Sequence, residues 1–114
     1  MKSTNKNLLN FLGLANKAGK IILGNNANKK NLLKLHLIVL ASDASLKTKE
    51  FFIKKGKEHN LPVKVFVDSE TLGSALGFSP VTVIGIKDLS FAEAFLKLIN
   101  AGKEVNSNGG DLNG

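Results

Sequence analysis

Residues 36–41, His-Leu-Ile-Val-Leu-Ala, limit the fold more than any other stretch. Both alternating positions of the run are apolar, so a strand formed from it must be covered on both faces. Three further short apolar runs follow the same logic: residues 20–23, 63–67 and 81–86. Between them lie segments with apolar residues at helical spacing. Leu8, Leu9, Phe11, Leu12, Leu14, Ala15 and Ala18 give the first such face, and Gly19 stands where a helix-ending glycine belongs. Further helices are expected over residues 25–34, 45–59, 68–76 and 90–101, with Gly77 and Gly102 closing the last two. Ser90 and Glu93 have the spacing of a capping box, which places the last helix start at Ser90. Strands alternating with helices in this way predict an α/β fold, a three-layer α/β/α sandwich around a four-stranded mixed sheet. Residues 1–102 form the single domain, and 103–114, rich in Gly, Asn, Ser and acids, form a flexible polar tail.

Charge is divided unequally along the chain. Residues 1–60 hold twelve lysines against three acids, whereas residues 61–114 hold four lysines against six acids. The net charge of +7 is therefore a surplus in the first half, which points to a polyanionic partner. A solvated lysine surface is the plainer reading. All sixteen basic residues are lysine, so bidentate arginine readout of guanine is absent and base reading falls to asparagine, backbone and shape. With no cysteine there is no disulfide and no thiolate metal site. No apolar run approaches the roughly 20 residues that span a bilayer. Asn5, Lys6, Asn7 and Asn10 interrupt any leader-like apolar stretch, so a cytoplasmic protein without membrane contact is expected.

The functional segment is Gly24-Asn25-Asn26-Ala27-Asn28-Lys29-Lys30. It sets a glycine, three amides and two ammonium groups at the start of an expected helix, where unpaired N–H groups and the helix dipole favour an anion. The amides could read base edges, or one of them could simply cap the helix. Lys17, Lys20, Lys34, Lys47 and Lys49 are expected along the same edge, with ordinary solvation as the alternative for each. Phe78 either stacks on an extruded base or is buried in its loop. Asp43, Asp68 and Asp88 each follow a strand and precede a helix. They could gather around a metal, but helix capping accounts for them more simply, and neither metal nor cofactor is expected. His36 and His59 are too far apart in the pattern for a ligand or acid–base pair. No serine or threonine has the setting of a nucleophile, and the second glycine of a nucleotide-hydrolase phosphate loop is absent.

Several stretches together resemble the kink-turn RNA-binding ribosomal protein superfamily, the archaeal large-subunit seven-Ae and thirty-e type, and within it the bacterial YlxQ-like branch. They are the segment from Gly24 to Lys30, Phe11-Leu-Gly-Leu-Ala-Asn-Lys-Ala-Gly-Lys20, Val39-Leu-Ala-Ser-Asp-Ala-Ser45 with Thr48 and Lys49, Leu72-Gly-Ser-Ala-Leu-Gly77, and Ser79-Pro80. The resemblance implies a non-enzymatic protein that grips kinked RNA, ribosomal or other non-coding, through a helix N-terminus. It also implies a monomer, with ribosome association as an extension of the same likeness. Carried across, Gly24, Asn26 and Lys30 match the family's Gly-x-Asn-Glu-x-x-Lys, while Ala27 replaces its acid and removes an acceptor for guanine. A second contact is implied for Gly77, Phe78 and Ser79, in the loop before the last strand, although Val81 stands where the branch carries a base. The RNA-binding set is thus Lys20, Gly24, Asn25, Asn26, Lys29, Lys30, Gly77, Phe78 and Ser79. The connection from Lys34 to Leu37 is shorter than in the ribosomal relatives. The rivals are a protein–protein adaptor on the same fold, and a small metal-dependent enzyme using the three aspartates.

Overall fold

The computed structural model describes residues 2–24, 32 and 34–108, with side chains described for residues 6–24, 32 and 34–100. The described elements are α1 (Lys2–Lys17), β1 (Ile21–Leu23), β2 (Leu37–Leu40), α2 (Leu46–His59), β3 (Val63–Val65), α3 (Ser69–Leu76), β4 (Val83–Ile86) and α4 (Leu89–Asn108). The helix expected over residues 25–34 falls mostly outside the described residues.

The sheet is mixed, in the order β1-β4-β2-β3. β4 runs antiparallel to β1 and β2, and β2 runs parallel to β3. All four residues of β2 and all four of β4 are buried, as their two-sided apolar pattern requires. Alternate β2 residues divide between two cores. Leu37 and Val39 face Leu8, Leu12, Leu72, Leu76 and Phe95, so α1, α3 and α4 form one outer layer. Ile38 and Leu40 face Leu32, Leu35 and Phe52, which places α2 in the other.

The ends of the elements explain most departures from expectation. Ser45 accepts from the Thr48 N–H at 3.1 Å and fixes the start of α2. Gly19, at φ 73°, ends α1, and the Lys20 N–H donates to Ala15 O at 3.0 Å. β3 is shorter than expected, although ladder-like bonds continue past it from Phe66 N–H to Leu40 O and from Ser42 N–H to Val67 O. β4 starts at Val83 rather than Val81, because the Val81 N–H turns to Ser69 O at 3.0 Å. The capping box at Ser90 is not used. Asp88, two residues earlier, accepts from the Phe91 N–H at 3.0 Å, and α4 begins at Leu89. Nor does Gly102 stop the helix, which runs on to Asn108, so residues 103–108 are helical. Lys103 and Glu104 are good helix formers, and an interior glycine costs only about 1 kcal/mol.

Candidate RNA-binding surface

The strand registers define two ends of the sheet. Leu23 pairs with Ile84, and Leu40 pairs with both Val83 and Val65. The carboxyl ends of β1, β2 and β3 therefore meet the amino end of β4, and Gly24 follows immediately on β1. At the opposite end Ile21 pairs with Ile86, and Lys20, His36, Lys87 and Asp88 cluster there.

At the first end Gly24 meets Val83 so closely that a Cβ would stand 2.5 Å from Val83 Cβ and 2.8 Å from its carbonyl oxygen. The glycine is thus required by close approach. Leu23 and Gly24 form one wall of a groove of about 460 Å³. Pro80, Val81, Thr82 and Val83 line it from the loop before β4, and Thr48 and Phe52 from α2. The first turn of α2 brings Lys47, exposed, and Lys49, whose ammonium donates to Ser42 O at 2.8 Å.

The loop reaches this groove because of how α3 ends. Gly77 takes the left-handed conformation at φ 79°, and its N–H bonds back into the helix. The Phe78 N–H donates to Gly73 O at 2.8 Å, and Ser79 O lies against Gly73, where a Cβ would find no room. The chain then doubles back along α3 to the Ser69 carbonyl, which delivers Pro80 to the groove. Phe78 is 48% exposed, so the buried reading of this side chain is set aside; Ser79 is also exposed.

The acids near the groove are occupied in holding α3. Asp68 caps it, accepting from the Thr71 N–H at 3.0 Å and from the Thr71 hydroxyl at 2.7 Å. Those bonds, the hydroxyl's first, hold the Asp68 carboxyl below its ordinary pKa. Asp43 reaches across from the β2 end and accepts from both the N–H and the hydroxyl of Ser69 at 2.9 Å. Asp88 lies at the opposite end of the sheet, so the three aspartates do not gather. Among the described residues no group of His, Cys, Asp or Glu is arranged to hold a metal ion.

The predicted RNA-binding residues therefore separate into three groups. Gly24 and Pro80, the residue that follows Gly77, Phe78 and Ser79 on their loop, meet in one groove. Lys20 does not join them: it begins β1 at the far end and pairs with Asp88 at 3.6 Å. β1 is three residues long, so a position next to Gly24's strand in sequence lies a full strand away in space. Asn25, Asn26, Lys29 and Lys30 lie outside the described residues. Of the other lysines, Lys34 leads towards the far end, whereas Lys17 lies on α1 beside α3. The sequence reading missed Thr48, Phe52, Thr82 and Val83 as groove residues. The signal available for Thr48 was its position three residues after the cap Ser45.

This is a three-layer α/β/α module whose groove is built from a glycine-ended strand and a helix-to-strand loop. The chain belongs to the ribosomal protein L7Ae/L30e/S12e/Gadd45 family, whose sequence model matches residues 6–96. It is 29% identical over 92 residues to the RNA-binding protein YlxQ of Bacillus subtilis (strain 168), covering 79% of this chain and 92% of that protein. A solved structure of a protein of unknown function from Bacillus halodurans is 34% identical with a TM-score of 0.77, over 82% of this chain and 96% of that one. The Giardia lamblia 15.5kD RNA binding protein shares the fold at a TM-score of 0.68 and 22% identity, over 87% of this chain and 89% of its own. No helix among the described residues is long and apolar enough to cross a membrane.

Proposed function

We propose that this protein is a non-enzymatic RNA-binding protein that holds structured, kink-turn-like RNA, ribosomal or other non-coding, at the Gly24 end of the sheet. It works as a cytoplasmic monomer. The observation that carries the reading is the shared groove: Gly24 on one wall and the loop from Pro80 to Val83 on the other. Gly24 leads straight into the amides and ammonium groups of residues 25–30, which neutralise phosphate and meet base edges. Phe78, half-exposed on the adjoining loop, offers a ring for an extruded base. The printed description of YlxQ as RNA-binding supports the same class.

Ala27 stands in place of the family's acid, so the preference for a kinked RNA over a plain duplex is expected to be modest. The test is a titration of a kink-turn RNA and a matched unkinked duplex over a range of salt. Tighter binding of the kinked RNA, with a log–log salt slope of about 0.7–0.9 per phosphate contact, is the expected result. Restoring the acid by Ala27→Glu should widen the difference by offering guanine N–H groups an acceptor and repelling plain duplex. Failure to bind any structured RNA at low salt would remove the reading and favour a protein–protein adaptor.

A further inference from the structure

A second groove runs between α1 and α3, on the flank of the molecule rather than at the end of the sheet. Its volume is about 950 Å³, roughly twice that of the Gly24 groove. The two helices run side by side in the same direction: Gly13 approaches Ala75 O, and the Asn16 amide donates to Leu76 O at 3.1 Å. A Cβ at Gly13 would lie 3.1 Å from Ala75 O, so the helices pass close to one another there.

The chemistry of this groove suits a nucleic-acid strand. Lys6, Asn10, Gly13 and Lys17 follow one another at helical spacing and form a single stripe along the α1 wall. Neither lysine makes an ion pair with a described residue. Leu14, 61% exposed, lies between them and offers an apolar surface. Ser74 supplies an exposed hydroxyl from the α3 wall. One acid, Glu70, lines the groove from the first turn of α3. Gly77, one residue before Phe78, lines the groove, which therefore adjoins the loop proposed above to contact RNA.

We infer that the α1–α3 groove carries a single-stranded extension of the bound RNA, its phosphates held by Lys6 and Lys17 and its bases lying on Leu14. The inference rests on the proposed RNA site, because this groove and that site's loop share Gly77. Single strands bind in cationic grooves that also offer the bases a surface, usually aromatic, without dependence on base sequence, and here Leu14 supplies that surface. Lys6 and Lys17 are eleven residues apart, about 16 Å along the helix axis. A strand stacked at about 3.4 Å per phosphate spans that distance in about five nucleotides.

The experiment compares a kink-turn RNA with blunt ends and the same RNA carrying a six-nucleotide uridine extension at either end. It uses the full chain, the double variant Lys6→Ala/Lys17→Ala, and Glu70→Gln. Both lysines are exposed helix positions, so the alanines leave the fold intact. The wild type should bind one of the extended RNAs more tightly than the blunt one. The double variant should lose that gain, with the extended RNA's salt slope reduced by about 1.4 and the blunt RNA unaffected. Glu70→Gln should enlarge the gain. An equal loss for blunt and extended RNA, or no gain from either extension while the blunt RNA binds, overturns the inference. If the blunt RNA does not bind at all, the proposed function fails, and an oligouridylate titrated alone decides the groove. Loss of its binding in the double variant supports a strand-binding groove, and binding that is absent or unchanged overturns it.

Discussion

The two ends of the sheet are built from the same few strands and do opposite things with their charged groups. At the Gly24 end the acids are spent on the fold: Asp43 and Asp68 both hold the start of α3. At the far end a lysine is neutralised, since Lys20 pairs with Asp88 and its carbonyl accepts from the Lys87 N–H. The backbone differs in the same sense. Gly24 is required because Val83 is against it, whereas Gly19, at the far end of β1, meets nothing within 4 Å and is required only by its positive φ. One end is thus a close-packed groove whose two nearby acids hold the start of α3, and the other a turn closed by the Lys20–Asp88 pair.

The largest effect should come from the glycine that separates the two ends. Gly24→Ala drives a methyl into Val83 and should cost about 1–3 kcal/mol of stability by overpacking, with loss of RNA binding as the groove wall shifts. Gly19→Ala should cost a similar or smaller amount, about 1–2 kcal/mol from its left-handed backbone, and leave RNA affinity intact. Denaturant melts and an RNA titration of both variants separate the two outcomes. Equal RNA binding by both would mean that the Gly24 end is no closer to the RNA than the far end.

Next in size is Phe78. Because the ring is half-exposed, Phe78→Ala should leave the melting temperature nearly unchanged while weakening RNA by about 1–3 kcal/mol, the worth of one stacked base. A large fall in stability instead would make the ring part of the core.

Smaller again is the contrast between two lysines. Lys30→Ala should weaken all RNAs alike and lower the salt slope by the share of one phosphate, about 0.7–0.9. Lys20→Ala should leave the slope unchanged, because its ammonium lies at the far end beside Asp88. Salt titrations of the two variants check this, and a fall in slope from Lys20→Ala would extend the surface to the far end.

The smallest effect concerns acid. Asp68 is held below its ordinary pKa by Thr71, and Asp88 by the Phe91 N–H and then Lys20. A carboxyl with a lowered folded pKa contributes stability above its unfolded value and loses it as pH falls through the folded one. Thermal stability should therefore decline below about pH 4, and Asp68→Asn should make that decline shallower. An unchanged pH profile in the variant would remove the cap from the account.

What the sequence disclosed follows from what is local. The two-sided apolar centres of β2 and β4 and the glycines ending α1 and α3 depend on neighbouring residues and stand where the pattern puts them, whereas Ser45, expected as the first helical residue, is the cap before it. The family was also legible, since its motifs are spread along the chain. The sequence offered two caps for α4, Asp88 and the box at Ser90, two residues apart, and the Phe91 N–H bonds to Asp88. Lys20 was assigned to the wrong end because charge in a sequence has no direction until the strand is laid in the sheet. The groove residues Thr82 and Val83 were hidden because strand order, and with it the meeting of β4 with Gly24, is a non-local fact.

If RNA binds as proposed, it meets the Gly24 end and leaves the far end alone. Backbone amide chemical shifts, recorded while a kink-turn RNA is added to the labelled protein, test it residue by residue. Shifts are expected at Gly24, Thr48, Phe78, Ser79 and Thr82, with His36, Lys87 and Asp88 unmoved. Shifts centred on His36, Lys87 and Asp88, with Gly24 and Phe78 unmoved, would contradict it.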